Sequence, residues 1–257
     1  MADTDTIELP HAALVRGLEK RNVRLQAALQ AAGREIDSLT YAIAHDLRTP
    51  LMHIDGFAQL LQTSTAAVLD HESRDHLERI ITATRTMNEQ LAALTEYSRV
   101  NSSELVTSEV DLEDLLSEAL ELVRPWTHGR NIQWQRTRLP TIRGDESLLR
   151  QVLVNLVSNA VEYTRPREPA VVEIGTRVEQ PGELLFFVRD NGVGFDLKYA
   201  NRLFTPFQRM HAADAFRGIG MGLAKVRRII ARHGGRVWAE SHVGEGATFY
   251  FTLPEES

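Results

Sequence analysis

The chain of 257 residues contains no cysteine and no apolar run long enough to cross a membrane. The absence of cysteine excludes disulfides and metal sites with cysteine ligands, and it is typical of proteins kept in a reducing compartment. A membrane-spanning helix needs about 18 consecutive apolar residues, and the sequence offers none. The first residues, 1–8, lack a basic region followed by an apolar core, so we expect no secretory signal and a cytoplasmic location.

Positive charge is scarce relative to negative charge, with 29 lysines and arginines against 35 aspartates and glutamates. The net charge of −6 provides no basic surface of the kind that binds nucleic acid, so we expect no nucleic-acid partner. The hydrophobic fraction of 43% and the charged fraction of 25% are typical of globular proteins, and the length predicts about two domains.

Glycine and proline are rare between Pro10 and Arg99, which predicts long helices. In residues 1–40 apolar residues recur at steps of three, four and seven, with one irregularity near Leu29. This spacing predicts a coiled coil with a stutter, whose narrow apolar stripe needs a partner helix. The simplest partner is a second copy of the chain. The stripe comprises Leu14, Leu18, Leu25, Leu29, Ala32, Ile36, Leu39 and Ile43.

Residues 41–103 predict a helical hairpin. The apolar stripe continues along the first helix, which we expect to bend at Pro50 because proline removes a backbone donor. A second helix with the same periodicity begins at about Asp70. Two copies of the hairpin would form a four-helix bundle. The polar segment that begins at Asn101 predicts the boundary to the next domain.

Residues 104–257 mix helical and alternating patterns, which predict an α/β sandwich: a mixed sheet with helices on one face. A long loop with short helical pieces is predicted for residues 192–217. The predicted helices span residues 111–123, 146–163 and 221–233, and the predicted strands span 131–137, 171–178, 184–189, 236–241 and 247–253.

The segment Tyr41-Ala-Ile-Ala-His-Asp-Leu-Arg-Thr-Pro-Leu51 combines groups that suit phosphoryl transfer. It puts His45 on an expected exposed helix face, next to the carboxylate of Asp46 and four residues before the hydroxyl of Thr49. A neighbouring carboxylate can orient an imidazole and raise its nucleophilicity.

Three downstream features have the chemistry of a nucleotide pocket. Asn155 and Asn159 share one helix face, where an amide oxygen can ligate a hard cation such as Mg²⁺. Asp190 ends a predicted strand and can accept a hydrogen bond from an exocyclic amine such as that of adenine. The turn Gly218-Ile-Gly-Met-Gly-Leu223 opens a helix, whose free N–H groups can bind phosphate. Each feature is weak alone, but their order along the chain is specific.

The sequence resembles the histidine kinases of two-component systems over nearly its whole length. Ala44-His-Asp-Leu-Arg-Thr-Pro-Leu51 resembles the phosphoacceptor box of that family, and Asn155-Leu-Val-Ser-Asn-Ala-Val-Glu-Tyr-Thr164 resembles its N box. The segments 190–195, 218–224 and 244–249 resemble the glycine boxes of the family, and the segment 203–209 resembles the aromatic box of its ATP lid. The sequences of residues 70–80 and 232–241 are most similar to those of the kinase modules of bacterial phytochromes.

The resemblance implies a dimeric helical-hairpin bundle followed by an ATP-binding domain of the GHKL type, with ATP and Mg²⁺ as ligands. It implies that His45 accepts the γ-phosphoryl group, that Asp46 orients the ring, and that Arg209 neutralises charge during transfer. Asn159 would ligate Mg²⁺, and Thr49 would place water for dephosphorylation of the partner regulator. The remaining residues that the family's nucleotide site implies are Asn155, Tyr163, Asp190, Gly192, Gly194, Gly218, Gly220, Gly222, Leu223 and Thr248.

One residue departs from the family pattern. The N box usually carries a lysine or arginine three residues after its second asparagine, and this chain has Glu162 there. A carboxylate beside ATP phosphates repels them, so we expect weaker nucleotide affinity or slow autophosphorylation. The effect would be removed if Glu162 pointed to solvent or if Arg165 or Arg167 supplied the missing cation.

The family implies a response regulator as partner and a sensor domain that these 257 residues do not contain. Three functions stay open: a kinase, a protein that mainly dephosphorylates the regulator, and a non-catalytic nucleotide-binding scaffold. Transfer within one chain or between two chains is not decided by the sequence. Gyrase-like and chaperone ATPases are disfavoured because they lack the hairpin with His45.

Overall fold

The computed structural model describes residues 8–65, 68–180, 182–208, 210, 216 and 218–255. Six α-helices and seven strands are present in these residues. Of the described helices, none is long and apolar enough to cross a membrane. The helices are α1 Glu8–Ser64, α2 His71–Ser102, α3 Leu112–Val123, α4 Glu146–Tyr163, α5 Ala200–Leu203 and α6 Gly222–Arg232. The strands are β1 Ser108–Asp111, β2 Ile132–Arg136, β3 Thr141–Gly144, β4 Ala170–Gln180, β5 Glu183–Asp190, β6 Val237–His242 and β7 Gly246–Pro254.

Helices α1 and α2 form the predicted hairpin. Their contact buries small and branched residues, among them Ala58 of α1 against Leu77 and Ile81 of α2. Helix α1 continues through Pro50, so the bend expected there stays a prediction. Asn101 and Ser102 belong to the last turn of α2. The predicted polar break therefore begins later than expected, at the C-cap Ser103.

A second apolar face of α1 is left uncovered within one chain. The stripe residues Leu18, Leu25 and Ile36 are each more than half exposed, as are Leu39 and Ile43. Single exposed apolar residues are common, but a row of them along one helix marks an interaction surface.

The five-stranded sheet has the order β2-β4-β5-β7-β6, with β2 parallel to β4 and the other neighbours antiparallel. The predicted mixed sheet with helices on one face is confirmed. Phe186 of β5 and Phe251 of β7 stack in its centre, with ring centroids 4.9 Å apart. The sequence reading missed the small separate sheet of β1 and β3, whose strands have only four residues each.

The two parts of the chain meet through a basic row on α6, which we call the docking face: Lys225, Arg228 and Arg232. The Arg228 guanidinium donates to both carboxylate oxygens of Asp37 on α1, at 2.9 and 3.0 Å. It also lies 4.2 Å from the ring centroid of Tyr97 on α2. Lys225 lies 2.8 Å from the Glu96 carboxylate on α2, and Arg232 donates to the carbonyl of Val100.

Asp145 anchors the start of α4 and the segment that enters the ATP-binding part. Its buried carboxylate accepts the backbone N–H of Leu148 in the first turn of α4 and that of Val106. Burial opposes ionisation, but these bonds and one from the Ser147 hydroxyl stabilise the charged form and hold the pKa of Asp145 below its ordinary value.

We expect Asp145→Ala to destabilise the ATP-binding part by about 2 kcal/mol, because it removes a helix cap and leaves the N–H groups of Leu148 and Val106 without their acceptor. The loss should shrink as the pH falls below about 4, because the unfolded chain takes up a proton there before the folded protein does, and it should vanish once the folded carboxylate is protonated as well. Denaturant unfolding followed by tryptophan fluorescence reports on this part, since all three tryptophans lie between residues 126 and 238.

Asp70→Ala is the matched control, because Asp70 caps α2 from an exposed position through Ser73. It should leave the tryptophan transition unchanged. Equal shifts in both variants would contradict the role given to Asp145.

Candidate functional site

His45 lies on the solvent face of α1. Its side chain is 65% exposed, and its Nδ1 lies 3.4 Å from an Oδ1 of Asp46, at the outer limit of a hydrogen bond. The next-door residue Ala44 is fully buried against the hairpin, which fixes the outward direction of His45. A carboxylate beside Nδ1 favours the tautomer with a proton there, and this leaves the Nε2 lone pair free for nucleophilic attack.

The hydroxyl residue Thr49 lies one turn after His45 and is exposed. Arg48, between them, points across the hairpin and donates to the hydroxyl of Thr95 at 3.4 Å. The imidazole, the Asp46 carboxylate and the Thr49 hydroxyl therefore share an accessible face of α1.

A cleft of about 790 Å³ lies between α4, α6 and the glycine turn that precedes α6. Asn155, Asn159 and Tyr163 of α4 line it. One part of its wall comes from the hairpin: Glu89, Ala92, Ala93 and Glu96 of α2. The described residues that line the cleft do not include His45, so the structure does not bring the imidazole into the cleft.

A small pocket that shares Tyr163, Leu203, Met210 and Leu223 with the cleft wall holds a buried carboxylate. Asp190 ends β5 and is 4% exposed, and it borders this apolar pocket together with Leu223, Phe249 and Gly194. Burial raises the pKa of Asp190 to about 6, although the backbone N–H of Gly192 donates to it at 2.8 Å. A lone acceptor at the end of an apolar slot fits a flat heteroaromatic ring with an exocyclic amine.

Backbone approaches the cleft closely at the turn before α6. Gly220 has a φ of 77°, and a Cβ there would lie 2.5 Å from the carbonyl oxygen of Gln208, so this position requires glycine. A Cβ at Gly222 would lie 2.7 Å from Oδ1 of Asn155, so a larger residue there would displace the Asn155 amide. With Gly218, these residues bring backbone to the cleft wall.

The metal ligand predicted at Asn159 faces the cleft one turn after Asn155, whose amide donates to the Gln151 carbonyl at 2.7 Å. Within the described residues no group of three or more histidines or carboxylates could hold a metal. Asn159 offers an amide oxygen, a ligand that fits Mg²⁺ bound chiefly by water and phosphate.

Glu162 lines the cleft and pairs with Arg165, whose guanidinium lies 3.0 Å from the carboxylate. Arg167 points away, since it donates to the backbone carbonyls of Asn191 and Gly192. Of the two arginines considered as substitutes for the missing cation, only Arg165 lines the cleft.

Two cleft cations carried no sequence signal. Arg130 donates to the Val161 carbonyl at 2.7 Å and to the Thr164 hydroxyl at 3.0 Å, and burial lowers its pKa. Lys225 lies in the first turn of α6 and reaches the cleft while it contacts Glu96. Neither residue belongs to a recognisable motif, because the groups that each one contacts are distant from it in the sequence.

Thr248 is not brought to the cleft wall or to the pocket beside Asp190. The Thr248 hydroxyl accepts a bond from Arg189 at 3.2 Å. Its neighbours on β7, Ala247 and Phe249, line the small apolar pocket beside Asp190, so Thr248 points to the opposite face of the sheet. Arg209 lies outside the described residues.

Two family models match the chain. Residues 22–103 match the His Kinase A (phospho-acceptor) domain, and residues 144–257 match the histidine kinase-, DNA gyrase B- and HSP90-like ATPase. The two matches cover the hairpin and the cleft.

Curated relatives are sensor proteins of greater length. The chain is 34% identical to cyanobacterial phytochrome A of Nostoc over 88% of its own length and 29% of that protein. It is 32% identical to the sensor histidine kinase AruS of Pseudomonas aeruginosa over 93% of its length and 25% of that protein. The chain thus spans less than a third of the length of these relatives.

A solved structure shares both the sequence likeness and the fold. Full-length ShkA, crystallised in complex with AMPPNP, is 32% identical, with a TM-score of 0.61 over 84% of this chain and 45% of that one. The Acinetobacter baumannii histidine kinase AdeS, at 19% identity and a TM-score of 0.56, shares the fold over 83% of this chain and 98% of its own. With a phospho-acceptor domain joined to an ATPase domain, the chain belongs to the sensor histidine kinases, and phytochrome kinases are among its relatives.

Proposed function

We propose that this chain transfers the γ-phosphoryl group of Mg-ATP to Nε2 of His45 and then to an aspartate of a response regulator. The observation that carries the proposal is the pairing, in one chain, of an exposed imidazole beside Asp46 with a cleft whose adjoining pocket holds the buried carboxylate of Asp190. Nε2 forms a bond to the γ-phosphorus, the bond to the bridging oxygen breaks, and ADP leaves. Asp46 takes up or stabilises the Nδ1 proton.

The cleft residues divide the binding of the nucleotide between them in this proposal. Asp190 accepts the adenine amine, Asn159 contributes a ligand to Mg²⁺, and the turn at Gly218 and Gly220 lies along the phosphates. His45 lies outside the cleft wall of its own chain, so transfer within one chain requires the ATP-binding part to move relative to the hairpin.

The active species in this proposal is a homodimer. The exposed apolar stripe of α1, which includes Leu39 and Ile43, needs a cover, and a second hairpin supplies one with the same pattern. Transfer within one chain and transfer between two chains are both compatible with a dimer.

A second activity, dephosphorylation of the regulator, is favoured by the exposed hydroxyl of Thr49 one turn from His45. A hydroxyl there can orient water toward a phosphoaspartate docked on the same helix face. The chain would then set the regulator's phosphorylation by both reactions.

The first experiment is incubation with γ-labelled ATP. Wild-type protein should acquire an acid-labile label, and His45→Ala should acquire none, because the nucleophile is gone. His53→Ala is the matched control, since His53 is an exposed histidine two turns further along the same helix, and it should label normally.

Label on His45→Ala would contradict the proposal. A different outcome is a wild type that stays unlabelled but removes phosphate from a phosphorylated regulator, together with loss of this activity in Thr49→Ala. These two results together would support the alternative that the chain mainly dephosphorylates the regulator. If neither reaction occurs, the scaffold remains.

The raised pKa of Asp190 predicts a pH dependence of nucleotide binding. Only the ionised carboxylate accepts the adenine amine without rotation of a proton, so Mg-ADP should bind less well as the pH falls from 7.5 to 5, through the pKa of about 6. At pH 5 about one tenth of the free protein is ionised, so the loss approaches about tenfold. Calorimetric titration measures it.

Asp190→Asn is the control, because its amide does not titrate. Protonation of ADP itself changes the affinity of both proteins equally. Any steeper fall of Mg-ADP affinity with pH in the wild type than in Asp190→Asn is therefore caused by the titration of Asp190. Parallel pH profiles in the two proteins would refute this assignment.

Glu162 predicts a gain of affinity on charge reversal. Glu162→Lys should bind Mg-ATP about three- to tenfold more tightly, since a cation replaces an anion in a partly exposed cleft wall. Arg165→Gln should weaken binding, because it removes a positive charge from beside the Glu162 carboxylate in the cleft wall. Glu109→Lys makes the same charge change at an exposed position on β1 and should leave the affinity unchanged. Equal affinity in Glu162→Lys and wild type would show that Glu162 does not act on the phosphates.

A further inference from the structure

The three members of the docking face differ in where they lie relative to the cleft. Lys225, Arg228 and Arg232 follow each other at steps of three and four along α6, so they share one face. All three contact the hairpin. Lys225 is the one of these three that also lines the cleft.

Lys225 is also distinct among the cleft cations of the described residues. Arg130 is bonded to the C-terminal end of α4, and Arg165 pairs with Glu162 of the same helix. The partner of Lys225 is Glu96, which belongs to the hairpin and itself lines the cleft. The ion pair therefore joins the two parts of the chain across the cleft wall.

The geometry allows the Lys225 ammonium to leave Glu96 and bind another anion. The Lys225 side chain is 13% exposed, and its ammonium lies 2.8 Å from a carboxylate of Glu96 that is half exposed. A lysine ammonium sits on a flexible four-carbon stem and can turn toward a stronger anion without movement of its backbone. Nucleotide phosphates carry several negative charges and stronger acceptor oxygens than one carboxylate.

We infer that Lys225 binds the nucleotide phosphates and that Glu96 competes with them for its ammonium. This inference rests on the proposed function and adds a regulatory contact to the same site. When phosphate takes the ammonium, the docking face loses one of its three contacts with the hairpin. Because coupling between two binding events is reciprocal, nucleotide binding weakens docking, and docking weakens nucleotide binding by the same factor.

The Arg228–Asp37 pair provides an independent way to loosen docking. Asp37 is 7% exposed by its side chain and accepts two bonds from Arg228, and neither residue lines the cleft. Asp37→Asn weakens this contact without a change of charge in the cleft. If docking holds Lys225 at Glu96, this distant substitution should tighten nucleotide binding.

The test is calorimetric titration of the full chain with Mg-AMPPNP, which binds without phosphoryl transfer. We expect Glu96→Gln and Asp37→Asn each to tighten binding about three- to tenfold. Lys225→Met should weaken it about tenfold, whereas Lys225→Arg, which keeps the charge, should retain binding. In the Lys225→Met background neither Glu96→Gln nor Asp37→Asn should have an effect. Circular dichroism melting verifies that each variant is folded.

Glu89→Gln is the matched variant for Glu96→Gln. Glu89 lies two turns earlier on α2 and contributes to the same wall, so its removal changes the cleft charge equally without touching Lys225. It should tighten binding less than Glu96→Gln. Equal gains in the two variants would overturn the inference in favour of a general charge effect.

Failure of the inference differs from failure of the proposed function. If wild type binds Mg-AMPPNP and Asp190→Asn weakens this binding, but Lys225→Met binds like wild type, only the role of Lys225 is overturned. If Glu96→Gln or Asp37→Asn still increases the affinity for Mg-AMPPNP when Lys225→Met is also present, the coupling through Lys225 is overturned. Wild type that does not bind Mg-AMPPNP overturns both.

Discussion

The two-sided packing of α4 is the constraint on which the ATP-binding part depends. One face of this helix, with Leu149, Leu156 and Val157, is fully buried against the sheet. The other face presents Asn155 and Asn159 to the cleft. Because the buried face fixes the rotation of the helix, the positions of the polar side chains are set by core packing and need no flexible loop. A polar site built on a rigid element keeps its geometry with or without a ligand.

Burial also explains why Asp190 can act as a specific acceptor. The carboxylate ends a central strand where apolar neighbours exclude water, so its ionisation is disfavoured and its pKa is raised to about 6. A hydrogen bond in such surroundings is stronger than one in water, and an unpaired carboxylate there is costly. The discrimination of a ring that carries an amine from one that does not follows from this difference.

Periodicity was sufficient to predict the hairpin and the α/β domain, and the motifs pointed to the part of the cleft wall that α4 and the glycine turn supply, but not to the part that α2 supplies. The apolar periodicity of the helices can be read from the sequence because each helical turn buries the same face. The glycine motifs can be recognised because a close approach of backbone excludes residues with a side chain. The missed features are of another kind. The Lys225–Glu96 and Arg228–Asp37 pairs join residues 129 and 191 positions apart, and charged residues carry no mark of their partners. Thr248 was assigned to the site by its motif, but the alternation of β7 turns its hydroxyl to the other face.

Asp37 stands between the N-terminal portion of α1 and His45, eight residues before the histidine. At 1.5 Å per residue the two side chains are separated by about 12 Å along one uninterrupted helix. A torque applied to α1 from its N-terminal side turns both positions through nearly the same angle, since two helical turns are too short to absorb a twist. The two-point contact of a guanidinium with a carboxylate tolerates little rotation. Such a twist therefore cannot reorient the imidazole without strain on the Arg228–Asp37 contact, so a single axial motion acts on His45 and on the ATP-binding part together.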